Sequence, residues 1–395
     1  MSSLQPSSRA RAVAESATLA VTAKVQELRR QGKDVISLGA GEPDFPTPEP
    51  VAAAGVHAIH SGNTRYTAAT GTMELREAAA GWFGRSIGLQ LAPNEVIVTA
   101  GAKPALHVAL LALVERGDPV LIPAPYWVSY PDLVRIAGGV PVEIPPVPEQ
   151  GFLHTGAQIA AAARQHQAKG LILNYPNNPS GANPTRSQLA DLVTAALAAG
   201  LWILSDEIYS ALIYDGGVHT SPATLGAARE RTLVVAGGTK SHSLTGWRVG
   251  FLAGPAPTIA ACGRIQSQVI GNPCTISQAA ALEVCRMDSR EELARRLAAF
   301  ATRRRFLVEE FARIKGLVLT PPQGAFYALV DAREVCARLR TSDLELTTQL
   351  LDETGVACMP GSAFAIPGFL RFSYAASLEE LREAMSRLRA FMARR

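Results

Sequence analysis

The 395-residue sequence predicts an α/β protein, with a mostly parallel seven-stranded sheet covered by helices in a large domain and a smaller α+β domain beside it. Three observations carry this. Seven near-continuous apolar runs read as strands buried on both faces: Val96–Thr99, Val120–Ile122, Val140–Ile144, Leu171–Asn174, Trp202–Ser205, Leu233–Ala236 and Val249–Ala253. Helical spacing separates most of them, as in Ala105–Val114, Gln158–Arg164 and Gln188–Ala198. After about residue 285 the rhythm stops and a long charged helix begins.

Taken in order, Ala17–Arg30 has amphipathic helical spacing up to Gly32, and Asp34–Leu38 reads as a short strand. A loop with three prolines, Gly39–Pro48, precedes helical patterns at Glu49–Ile59 and Glu74–Ile87, separated by a turn around Tyr66–Gly71. Beyond the seven runs come a charged helix over about Arg290–Lys315, strands at Leu317–Thr320 and Phe326–Val330, and helices near Ser342–Thr354 and Leu378–Met392. The expected division is a large domain over 45–285, and a small one made of 1–44 with 286–395.

About half the residues are apolar, enough for a large core, and the net charge of +4 leaves no footprint for nucleic acid. No apolar run approaches the roughly 20 residues that span a bilayer. The run Ala105–Val114 is too short and contains His107. The first residues lack a hydrophobic segment with a cleavage site, so a cytoplasmic protein is expected. Cys262, Cys274, Cys285, Cys336 and Cys358 form no C-x-x-C and no metal spacing, and are expected to be buried reduced thiols. No metal site is expected.

The stretch Gly237–Arg248 stands out. It follows one buried run, precedes another, and holds Lys240, one of only six lysines in an arginine-rich chain. Lysine forms a Schiff base with an aldehyde, which arginine does not usefully do. A solvated lysine at a strand end is the plainer alternative. A P-loop is excluded, because Thr239 and Val234 stand where that motif needs glycine. A dinucleotide fingerprint at Gly39 fails likewise, because its last glycine falls at Asp44.

Three further strand ends carry polar residues that packing does not require: Gly101-Ala-Lys-Pro104, Asn174–Gly181 and Ser205–Tyr209. The first opens a helix, and its free N–H groups suit a phosphate. The second is equally readable as a turn. Asp206, at the end of a buried run, needs a partner.

Together with Ala40–Phe45, Pro125–Pro131, Thr245–Arg248, Gly324–Tyr327 and Leu370–Tyr374, these stretches resemble the fold-type I, class I aminotransferases, and most of all the bacterial aspartate enzymes of the Ib branch. The resemblance spans essentially the whole chain and implies pyridoxal 5′-phosphate as cofactor. It implies that Lys240 holds the cofactor and moves the substrate proton, and that Asp206 pairs with the pyridinium nitrogen. Asn178 and Tyr209 would bond the ring oxygen, and Trp127 would stack on the ring. Gly101, Ala102, Thr239 and Arg248 would cradle the phosphate, close to Lys103, with Tyr66 reaching it from the neighbouring subunit of a homodimer with shared active sites. Arg371 and Gly41 would take the substrate α-carboxylate, beside Trp127 and Asn178. In this branch Lys103 and Thr18 would read a distal carboxylate, which favours aspartate or glutamate as donor to 2-oxoglutarate or oxaloacetate. Prephenate, or aromatic and neutral amino acids, are alternative substrates. A carbon–sulfur lyase and a non-catalytic regulator are alternative functions on the same fold. Ala102 stands where relatives often carry a second glycine and Thr239 where they often carry serine or alanine; His242 has no assigned role.

Overall fold

The computed structural model describes residues 4–13 and 17–395, with the side chains of 17–19 set aside. A short helix α1 (Ser8–Arg11) and α2 (Ala17–Arg30) lead into the two-residue strand β1 (Ile36–Ser37), then α3 (Glu49–His60) and α4 (Met73–Ile87). The main alternation follows: β2 (Val96–Thr99), α5 (Ala102–Leu113), β3 (Pro119–Pro123), α6 (Tyr130–Ala137), β4 (Val140–Ile144), α7 (Gly156–His166), β5 (Gly170–Asn174), α8 (Arg186–Ala198), β6 (Trp202–Asp206), β7 (Thr232–Ala236) and β8 (Gly250–Ala253). Helices α9 (Ala256–Val269), α10 (Thr275–Arg286) and α11 (Arg290–Phe311) come next. The chain then forms β9 (Val318–Leu319), β10 (Tyr327–Asp331), α12 (Arg333–Leu339), α13 (Asp343–Thr354), β11 (Val356–Ala357), β12 (Met359–Pro360), β13 (Phe369–Ser373) and α14 (Leu378–Ala393).

The seven apolar runs are the seven strands of one sheet, ordered β2-β8-β7-β6-β5-β3-β4. Only β8 runs antiparallel to its neighbours; the other pairings are parallel. Strand residues alternate between the faces. Ile97, Ile122, Ile172, Leu204, Val235 and Leu252 pack with α5, α6 and α9. Val98, Val234, Ala236 and Phe251 pack with α4 and α10. Leu121, Leu171, Leu173 and Ile203 pack with α7 and α8. Both faces are covered along the sheet except at the edge strand β4, where Val140 and Glu143 are exposed, contrary to the expectation that all seven runs are buried. In the covered strands β5, β6 and β7 the polar groups that reach a cleft project from the strand ends.

A second, antiparallel sheet has the order β12-β13-β10-β9, and β1 pairs in parallel with β11. Its core collects Phe300 and Phe311 of α11 with Phe326, Phe372 and Phe391. Ser373 N–H donates to Leu38 O at 2.6 Å, which lays the Gly39–Pro48 loop along β13. The backbone carbonyl of Gly39 thereby comes beside the side chain of Arg371.

Some expectations change. The helix expected from Ala105 starts at Ala102, with Gly101 as its N-cap, so Ala102, Lys103 and Pro104 form its first turn and the stretch opens the helix as expected. Cys274 is exposed at the start of α10, whereas the other four cysteines are buried. The side chain of Thr18 lies outside the described residues. Among the described residues no helix is long and apolar enough to cross a membrane, and no His/Cys/Asp/Glu group is placed to hold a metal.

Candidate active site

Register brings the strand ends together. Asn174 pairs with Asp206 and Asp206 with Val235, so the carboxyl ends of β5, β6 and β7 align. The lysine loop leaves the same edge after β7, and β2 delivers Gly101 there. One cleft results, lined by Gly41, Ala102, Lys103, Trp127, Asn178, Asp206, Tyr209, Thr239, Lys240, Arg248 and Arg371. Eleven of the residues singled out in the sequence therefore share one wall.

Lys240 Nζ donates to the carbonyl of Gly41 at 2.5 Å and lies 6.0 Å from the Tyr209 ring centroid. Burial pushes its ammonium down to about 8, against the opposing pull of the Glu42 and Asp206 carboxylates. Asp206, the last residue of β6, is buried, and that burial raises its carboxyl to about 6. Tyr130 donates to Asp206 Oδ2 at 2.8 Å and the Ile208 N–H to Oδ1 at 3.3 Å, both favouring the anion. The partner that sequence demanded for this carboxylate is therefore a tyrosine from α6.

Asn174 Nδ2 donates to the Asp206 carbonyl at 2.9 Å, and Asn174 Oδ1 accepts from the Asn178 N–H at 2.9 Å. This ties the loop after β5 to the end of β6. The hydroxyls of Tyr209 and Tyr327 are 2.7 Å apart. A Cβ on Gly41 would come within 2.9 Å of the Tyr327 hydroxyl, so glycine is needed for this close approach.

Arg371 is fully buried on β13. Its Nη1 donates to Asn178 Oδ1 at 2.9 Å and its Nη2 to the Gly39 carbonyl at 2.6 Å, while Nε has no partner among the described residues. Arg371 lines the cleft, and a buried guanidinium with an unpaired donor and no carboxylate partner among the described residues suits an anion. Its guanidinium carbon lies 4.5 Å from the Tyr327 ring centroid.

At the other end, Gly101 caps α5 with φ +101° and no side-chain cap, so the first-turn N–H groups remain free. A Cβ at Gly101 would meet Arg248 Nη2 at 2.8 Å. Arg248 itself adopts φ +54° and donates Nη1 to the Thr245 carbonyl at 2.9 Å. Thr239 Oγ1 donates to the Val249 carbonyl at 3.3 Å. Lys103 Nζ lies 4.9 Å over the Trp127 ring and forms no salt bridge among the described residues. Burial, and then Arg248, lower its ammonium from the ordinary range.

Three groups were not legible as site residues from sequence: Tyr130, Tyr327 and Asn174. Each acts through a side-chain hydrogen bond across elements, which no local pattern announces. Thr22 and Gln26 of α2, with Glu42 and Thr245, also line the cleft. Tyr66 does not; it is 96% exposed. His242 is buried behind the lysine loop, bonded to Ser241 Oγ and Ser289 Oγ at 2.9 Å each, and burial lowers its imidazolium to about 4.

The profile of the family described as aminotransferase class I and II matches residues 33–388. The chain belongs to that family. It is 43% identical over 389 residues to the aspartate/prephenate aminotransferase of Cereibacter sphaeroides, covering 96% of this chain and 97% of that protein. It is 42% identical to the aspartate aminotransferase of Geobacillus stearothermophilus, covering 97% and 98%. The solved aspartate aminotransferase from Thermus thermophilus with maleate superimposes with a TM-score of 0.93 at 42% identity, covering 98% of this chain and 100% of that one. The fold is the α/β fold type I of these enzymes. This is an enzyme of amino-group transfer between amino acids and oxo acids, and its cofactor is pyridoxal 5′-phosphate. The residues present fit that group: a buried amine at Lys240, a buried carboxylate at Asp206, an uncapped helix start at Gly101 that a Cβ would obstruct, and an aromatic wall at Trp127.

Proposed function

We propose that this enzyme transfers the amino group of aspartate or glutamate to a 2-oxo acid such as 2-oxoglutarate, in two alternating half-reactions. The observation that carries this reading is one cleft holding a buried amine, a buried carboxylate and two cations, Lys103 and Arg371, with no carboxylate partner among the described residues. Bound pyridoxal phosphate supplies an aldehyde and an electron-withdrawing ring.

The protein supplies the rest. Lys240 Nζ, with its pKa lowered to about 8, is neutral in about a tenth of molecules at pH 7, far more than an exposed lysine. It would hold the cofactor's aldehyde, and its free amine would take the proton from the substrate α-carbon. Asp206 keeps a negative charge facing the ring nitrogen, steadied by Tyr130. Asn178 and Tyr209 donate to the ring oxygen, and Trp127 covers one ring face. The N–H groups of Gly101 and Ala102, with Thr239 and Arg248, bind the phosphate. Arg371 takes the α-carboxylate, with the Gly41 backbone at close approach.

Lys103 would receive the distal carboxylate; the same role is expected of Thr18, whose side chain lies outside the described residues. The Thermus thermophilus enzyme was solved with maleate, itself a dicarboxylate, which supports that reading. Prephenate as a second acceptor is supported by the name of the Cereibacter relative. We also propose a cytoplasmic homodimer, with domains at 45–285 and at 1–44 with 286–395. Support for the dimer comes from the exposure of Tyr66 together with Val56, Ile59 and Met73. The test is spectroscopic. Aspartate or glutamate alone should change the visible absorption of the loaded protein, and 2-oxoglutarate should restore it. Release of pyruvate and ammonia without any acceptor would point instead to a lyase.

A further inference from the structure

The Lys240 contact to Gly41 is made between two loops, and both are held from behind by one residue of α11. Arg296 is 1% exposed. Its Nη2 donates to the Pro46 carbonyl at 2.7 Å, in the loop that carries Gly41. Its Nη1 donates to Ser243 Oγ at 2.6 Å and to the Ser241 carbonyl at 3.3 Å, in the loop that carries Lys240. Its Nε donates to Glu292 Oε1 at 2.5 Å, one turn earlier on the same helix.

The surroundings fix the guanidinium further. Its carbon lies 5.3 Å from the Phe45 ring centroid, and Phe45 packs edge-on against Phe300 at 5.3 Å. About two turns further along α11, Arg303 holds Asp44 with two bonds of 2.7 Å. Thr47 Oγ1 donates to the Ser243 carbonyl at 3.0 Å, joining the two loops directly.

We infer that Arg296 is a positioning residue for the transamination site: its forked guanidinium sets the register of the Lys240 loop against the Gly41 loop. A fork is needed because the acceptors sit on different loops, and lysine offers only a single point of attachment. The amine and the backbone that approaches the substrate carboxylate are thus registered by α11, which lines no part of the cleft itself. This inference rests on the aminotransferase reading.

The test uses the cofactor-loaded enzyme and the variants Arg296→Met, Arg296→Lys and Ser243→Ala. The readouts are kcat, KM for aspartate, the pH midpoint of the visible absorption change, and Tm. A displacement of reacting groups by an ångström costs up to about a hundredfold in rate. Arg296→Met should therefore lower kcat by about ten- to a hundredfold and move the spectral pH midpoint, with KM changed far less. Arg296→Lys should restore only part of this. Ser243→Ala should show a smaller loss of the same kind at near-normal Tm, and it decides the matter if the Arg296 variants fail to fold. Unchanged kcat and spectral midpoint in Ser243→Ala, or a loss matched entirely by KM, would overturn the inference. A wild-type protein showing no spectral response to aspartate or glutamate would instead count against the function proposed above.

Discussion

Tyr130 donates its hydroxyl to Oδ2 of Asp206 at 2.8 Å, with both side chains buried. The bond favours the ionised carboxylate against the burial that raises Asp206 to about 6. In Tyr130→Phe that support is lost, so the carboxyl should protonate at still higher pH. The acid limb of the kcat profile should move upward by about one pH unit, the equivalent of one charged hydrogen bond of about 1.5 kcal/mol, and kcat at pH 7 should fall about twofold as the ionised fraction of Asp206 drops. A pH–rate profile checks both the direction and the size.

Glu42 is the largest influence opposing the burial of Lys240. Replacing it with glutamine removes a negative charge that favours the ammonium, so the Lys240 pKa should fall below about 8. With only six lysines in the chain, ¹³C-labelled lysine resonances of the cofactor-free protein can follow this titration directly. A midpoint that rises, or stays, would contradict the electrostatics of the cleft.

On the proposed reading, Lys103 and Arg371 divide the substrate between them. Lys103→Ala should raise KM for aspartate by about ten- to a hundredfold, the loss of one charged contact, while leaving alanine almost unaffected. Arg371→Lys should penalise both donors, because a point charge cannot replace a guanidinium that also bonds Asn178 and Gly39. Steady-state kinetics with the two donors separates the roles.

Gly101→Ala combines two penalties at the start of α5. Its φ of +101° with ψ 171° is open to glycine almost alone, and the added Cβ would press on Arg248 Nη2. The dissociation constant for pyridoxal phosphate should rise by about five- to 150-fold, given strain of about 1–3 kcal/mol at such a position. Equilibrium dialysis measures it.

The large sheet was legible because its strands are buried on both faces and therefore apolar throughout. Its polar strand ends were legible for the same reason: Asp206 and Lys240 break a pattern that packing alone would continue. The less regular parts were not. Strand β11 pairs Val356 with the distant Ile36 and β12 pairs Met359 with Arg371 of β13, and the two-residue strands β11 and β12 carry no period to read. Helices α6, α9 and α10 lacked a clean boundary, since α6 begins within the aromatic stretch that includes Tyr130 and α9 with α10 follow without a strand between them. Tyr327 illustrates the limit well. Its motif stands out in the sequence, yet its bond to Tyr209 and its approach to Gly41 exist only in three dimensions.

The meeting of Gly39, Asn178 and Arg371 has a thermodynamic consequence. The Arg371 guanidinium, proposed above to take the substrate carboxylate, joins segments 332 positions apart along the chain through its bond to Gly39. Occupancy of the cleft is therefore a reporter of complete folding: no stretch of chain lacking either segment retains that binding geometry. By mass action, a ligand at a hundred times its dissociation constant adds about 2.7 kcal/mol to the native state. A dicarboxylate in the medium should thus protect both sheets together against heat and proteolysis.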